Sequence, residues 1–217
     1  MGKESMVSVL VLLAFTCFAP VARAANISVN VYLDTTPLQG SFAAPFYLEF
    51  QLNDGSGTDD GNNTAVLTNF DLGGGAAGLG LSNIGGSSGS LDTSVTITDS
   101  EFFNQFYQEF VPGNYLRFHL ELTMLIDAGP QPDRFTMAIL DCVFVEIPTF
   151  GPGNVLLGID IDANPQFETY AGDPSGLCAC DGLPGIPLSA PIVPEPGTLS
   201  MAGLAAVGAL LLRKRLR

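Results

Sequence analysis

Tryptophan is absent from this chain, histidine occurs once, and only 8 Lys and Arg stand against 22 Asp and Glu. Each scarcity removes a class of function. With His119 alone, no histidine cluster can hold zinc or copper. There is no Gly-x-Ser-x-Gly, no His-Glu-x-x-His and no phosphate-binding loop, so the common signatures of acyl transfer, metalloproteolysis and nucleotide binding are missing. The shortage of cations excludes nucleic acid as a partner. Long apolar runs are confined to the two ends of the chain. Of the acids, twenty lie within 25–193, where Arg117 and Arg134 are the only cations. The segment between the ends therefore carries about eighteen net negative charges, which suits a self-repelling soluble surface.

The ends read as addresses. Lys3, the apolar stretch Met6–Ala19 and the small-x-small Ala22-Arg23-Ala24 form a secretory signal peptide over 1–24, with cleavage after Ala24. At the other end, Pro194-Glu195-Pro196 precedes an apolar stretch over 197–212 and a basic tail over 213–217. The uncharged Leu199–Leu212 would form a helix about 21 Å long, against roughly 30 Å of hydrocarbon. That makes a poor permanent anchor. Arg213, Lys214 and Arg215 would stay on the cytoplasmic side and stop transfer. Two prolines around Glu195 forbid a helix through the motif, so the segment resembles a handle made to be removed.

These three parts, in this order at the end of the chain, resemble the PEP-CTERM sorting signal, also known as the ice-binding protein C-terminal domain. The resemblance implies recognition of Pro194, Glu195 and Pro196 by an exosortase, whose catalytic residues belong to that enzyme. It also implies export through the secretion machinery, transient anchoring in the inner membrane, and then residence at the cell envelope, the outer surface or outside the cell. Exopolysaccharide is the partner the family suggests. No array of regularly spaced threonines supports ice binding. The body resembles a functionally unassigned group of proteins with this tail, through Leu38-Gln39-Gly40, Phe46–Leu52, Asn69-Phe70, the Phe102–Phe110 segment and Leu116–Thr123.

Between the signals, 25–190 reads as one acidic domain. Apolar residues alternate in Ile27–Leu33, Phe46–Leu52, Leu116–Met124 and Phe135–Ile139, with shorter candidates at Ala65–Leu72, Ser94–Thr98, Asp141–Ile147 and Val155–Ile161. Gly, Pro, Asn and Asp punctuate the gaps. The expectation is an all-β fold, an antiparallel β-sandwich of jelly-roll type, flanked by a signal helix and a C-terminal transmembrane helix. One short helix is expected over Phe102–Phe110, because Phe102, Phe103, Phe106, Tyr107 and Phe110 recur at helical spacing after Ser100. The glycine-rich 73–89 reads as a flexible loop.

Candidate sites are few. The acidic loop 53–63 offers Asp54, Asp59 and Asp60 as calcium ligands, without the spacing of an EF-hand. Asp160, Asp162 and Asn164 are a second run of oxygen donors. Phe102, Tyr107 and Phe110 could form a glycan-stacking platform. Arg117, His119 and Glu121 share one strand face, as an outward polar row or an acid–base pair. Cys142 can pair with Cys178 or Cys180, leaving one thiol over. No cofactor beyond calcium is called for. The chain is read as a non-enzymatic, structural or adhesive surface protein, with a calcium-assisted carbohydrate-binding module as the alternative.

Overall fold

A computed structural model describes residues 26–55, 60–126 and 129–194. The signal peptide, Asp59, Glu195, Pro196, the apolar stretch 197–212 and Arg213, Lys214 and Arg215 lie outside the described residues. Eleven strands are formed: β1 Ile27–Asp34, β2 Phe46–Asn53, β3 Thr64–Asp71, β4 Ala76–Ile84, β5 Gly86–Gly89, β6 Ser94–Thr98, β7 Phe103–Val111, β8 Tyr115–Leu122, β9 Asp133–Leu140, β10 Leu157–Ile161 and β11 Phe167–Thr169. The helical elements among the described residues are two single turns of 3-10 helix, Thr36–Leu38 and Pro152–Asn154. None is long and apolar enough to cross a membrane.

All the ladders are antiparallel, in a five-stranded sheet ordered β1-β8-β3-β6-β5 and a six-stranded sheet ordered β11-β10-β9-β2-β7-β4. The first eight strands behave as one long hairpin. β1 pairs with β8, β2 with β7 and β3 with β6, while β4 and β5 meet at Gly85. Rolling that hairpin sends successive strand pairs to opposite sheets, β1/β8 and β3/β6 to the smaller and β2/β7 to the larger, in a jelly-roll-like arrangement whose tip strands part, β4 beside β7 and β5 beside β6. Gly85, at φ +61, turns the chain at the hairpin's tip from one sheet into the other. Strands β9, β10 and β11 then extend the larger sheet beyond β2.

The inward residues form one apolar core. At its centre, Phe50 is fully buried and meets Phe118 edge-on at 5.3 Å, with Phe70, Phe106 and Phe135 at 6.2–6.3 Å. Each such ring contributes about 1.5–3 kcal/mol by leaving water. After β11 the chain crosses the open side of the sandwich, where Cys178, Ile186 and Leu188 join the core. The last described residues lie along the edge strand of the smaller sheet. There Tyr32 and Ile192 exchange backbone hydrogen bonds of 3.0 and 2.8 Å.

Three local expectations are corrected. The helix over Phe102–Phe110 is strand β7. Its inward positions are Asn104, Phe106, Gln108 and Phe110, and the two amides are buried because they replace missing backbone partners. Asn104 donates to Leu52 O and accepts the Gly86 N–H; Gln108 donates to Gly78 O and accepts the Leu91 N–H. Most of the glycine stretch is β4 and β5 rather than a loop, because β4 pairs with β7 and β5 with β6, and the two amides complete the backbone groups of Gly78 and Gly86. The segment Asp141–Ile147 is a turn, because the Asp141 carboxylate captures the N–H groups of Val143, Val145 and Cys180.

Candidate functional site

The outer face of the smaller sheet carries a concavity of about 470 Å³, lined by side chains of β1, β3 and β8 and by Ile192 and Pro194. Register builds it. Tyr32, Arg117 and Asp71 lie opposite one another across β1, β8 and β3, and Asn30, His119 and Thr68 form the next row. A bulge in β3 between Thr68 and Asp71 opens the floor. Asn69 sits at φ +56 there, lining the hollow, while Phe70 packs towards Phe50 and Phe118. Asparagine tolerates that left-handed conformation better than most residues.

Arg117 is the centre of the hollow. Its guanidinium carbon stands 4.6 Å from the Tyr115 ring centroid and 5.5 Å from that of Tyr32, and the two rings stack 5.8 Å apart. Asp71, the acid opposite it, lines the same hollow, and its carboxylate accepts Tyr115 OH at 3.0 Å and the Gly73 N–H at 3.0 Å. The hydrogen bond to Asp71 raises the Tyr115 pKa above the usual phenol value. Among the described residues, ion pairs involve Arg134 and His119, not Arg117. Arg134 is fully committed, bridging Asp160 at 2.5 Å and Glu168 at 2.6 Å across Gly158, where a Cβ would strike the guanidinium. His119 lies 3.1 Å from Asn30 Oδ1, 3.3 Å from Ser28 Oγ and 3.6 Å from Glu121 Oε1.

The other sequence candidates scatter. Phe102 is exposed and Tyr107 half-buried, but Phe110 is in the core, so the three cannot form one stacking platform. The period-two geometry of a strand separates residues that helical spacing had gathered. Tyr107 instead joins Tyr47 and Phe144 on the outer face of the larger sheet, with centroids 4.6–6.0 Å apart. Beside them Glu49 is buried and accepts the amides of Gln51 and Gln105, and burial raises its pKa.

Asp54 is buried at the end of β2, whereas Asp60 is exposed and accepts the N–H groups of Asn62. Near them Asp99 and Asp133, both buried, bind Asn63. Among the described residues no group of three His, Cys, Asp or Glu is arranged to hold a metal ion. Asp160 serves Arg134, and Asp162 accepts the Asn164 N–H. Cys142 and Cys180 form a disulfide, with Cα atoms 5.5 Å apart. Cys178 is a buried thiol whose pKa burial raises, with Asp181 and Asp141 adding to the shift.

The polar row of β8 was legible from alternation. Asn30, Tyr32, Asn69, Asp71 and Ile192 were not, since a cross-strand register, a bulge and a returning tail bring them to it.

Residues 193–215 match the family model of the PEP-CTERM protein-sorting motif. No curated protein and no solved structure matches the chain. The motif marks an exported protein whose membrane-anchored sorting signal is processed by an exosortase. Of its first residues, Val193 packs against the core and Pro194 lines the Arg117 hollow.

Proposed function

We propose that this exported, exosortase-sorted protein is a non-catalytic binding and scaffolding component of the cell surface or extracellular matrix. Its ligand in this reading is an exopolysaccharide, gripped at the Arg117 hollow through carboxylate-bearing sugar units. The observation that carries the reading is Arg117 itself. In a domain with twenty acids and two cations, it lies over two tyrosine rings and makes no ion pair among the described residues. Cation–π contact with the rings does not use up the guanidinium N–H donors, and those donors match a carboxylate in bidentate fashion. Asn30, Asn69 and His119 line the same hollow and suit sugar hydroxyls. The domain's distant negative charges are screened beyond about 8 Å at physiological ionic strength, and the nearby Asp71 carboxylate is engaged by Tyr115 OH and the Gly73 N–H.

Titration calorimetry of the mature protein with uronic-acid oligosaccharides and neutral ones of equal length tests this. The uronates should bind, the neutral sugars far less, and Arg117→Gln should weaken uronate binding about ten- to hundredfold without moving the melting temperature. Equal binding of both sugars, or uronate binding indifferent to Arg117, would overturn the reading.

A further inference from the structure

We propose that the pairing of Ile192 with Tyr32 is a latch on the sorting tail, and that exosortase processing proceeds only when it opens. The motif match begins at Val193, directly after the paired residue. Val193 is partly buried against the core, and Pro194 lines the Arg117 hollow. The residues leading into the motif are therefore part of the folded domain rather than a free linker. Ile192 accepts the Tyr32 N–H at 3.0 Å and returns its own N–H to Tyr32 O at 2.8 Å. An enzyme that reads a peptide takes it extended, along its backbone groups. Those of Ile192 are engaged by β1, and the Val193 side chain faces the core. Lifting them exposes the tail without disturbing the ladder between β1 and β8, because Ile192 occupies the outer edge of β1. Losing two backbone hydrogen bonds changes the open population by about five- to thirtyfold, a range suited to control rather than to a permanent block. The latch does not depend on what the hollow binds.

The test follows maturation of the full chain, co-expressed with its exosortase, by pulse–chase. Residues that exchange both backbone bonds lie about 5.5 Å apart at Cα, within reach of a disulfide. Tyr32→Cys with Ile192→Cys should lock the latch, and Tyr32→Ala controls for the lost ring. The oxidised double variant should mature at least about tenfold more slowly than that control. Mild reduction should restore its rate relative to wild type treated alike. Ile192→Pro, which deletes the N–H, should mature about fivefold faster, or more, with the melting temperature confirming a folded domain. Maturation of the locked chain at the control rate would overturn the latch. So would slower processing of a folded Ile192→Pro chain, since the pairing would then present the motif.

Discussion

Asp99→Asn should stabilise this domain above neutral pH while leaving it little changed in mild acid. Asp99 follows β6, is fully buried, and accepts the Asn63 N–H on both oxygens at 3.0 Å. Burial is the main cause raising its pKa from 3.8 to about 7; the Asn63 N–H opposes the shift, and the Asp133 carboxyl and Asp60 add to it. In the unfolded chain the group ionises near its ordinary value. Between the two pKa values the folded state keeps a proton that the unfolded chain has released. Stability therefore falls as pH rises from about 4 to about 7, and levels off above. The shift of about three units corresponds to about 2–4 kcal/mol, the lower figure allowing for water close to this end of the sandwich. Asparagine can accept from Asn63 through its oxygen and donate to Asp133 through its amide, as the protonated acid does. At pH 8 the variant should thus melt about 4–16 °C above wild type, and at pH 4 the two should nearly coincide. Calorimetric melts at unit steps from pH 4 to 8, in chelator, read this directly. A wild-type melting temperature flat across that range would refute the reasoning, as would a variant that keeps the wild-type slope.

Three further outcomes are expected. Adding calcium at pH 8 should leave the melting temperature of the wild type unchanged; a rise of several degrees would show that Asp54, Asp59 and Asp60 complete a site in the folded chain. Phe50→Ala removes the ring at the centre of the aromatic cluster and should cost about 3–5 kcal/mol by denaturant titration, with a cost under 1 kcal/mol contradicting the packing described. Replacing Cys142 and Cys180 together by serine opens a crosslink with a sequence separation of 38, and should cost about 4 kcal/mol; an unchanged midpoint in the same titration would show that the bond does not form.

Alternation alone revealed β1, β2, β8 and β9, because each puts apolar residues on one face and polar ones on the other. Strand β7 was hidden by its own chemistry. Asn104 and Gln108 occupy inward positions, so the apolar residues that remain fall at helical spacing. Nothing in their letters says that they would bond the backbone of β2 and β4 and the turn beside Leu91. The glycines of β4 and β5 were unreadable for a related reason: their ladders to β7 and β6, with amide side chains completing Gly78 and Gly86, involve residues well along the chain that no local pattern marks. The site was half visible. Arg117 and His119 stood out on an alternating strand, whereas Asn69 reached the hollow only through a bulge. Pairing of Asp99 with Asp133 joins loops more than thirty residues apart, and no local pattern marks such a contact.

The disulfide has a mechanical meaning while the sorting signal, before processing, still anchors the chain in the membrane. Tension on the tail would first peel Ile192 from Tyr32 and then draw out the segment that closes the side of the sandwich. That unravelling reaches a hard stop at Cys180. From there to Pro194 the chain yields about 50 Å at roughly 3.5 Å per residue. Further load passes through Cys142 into the end of β9, which is flanked by β2 and β10 inside the larger sheet. The last residues before the tail thus act as a tether of fixed slack, and the Phe50 core behind it bears no strain until that slack is gone.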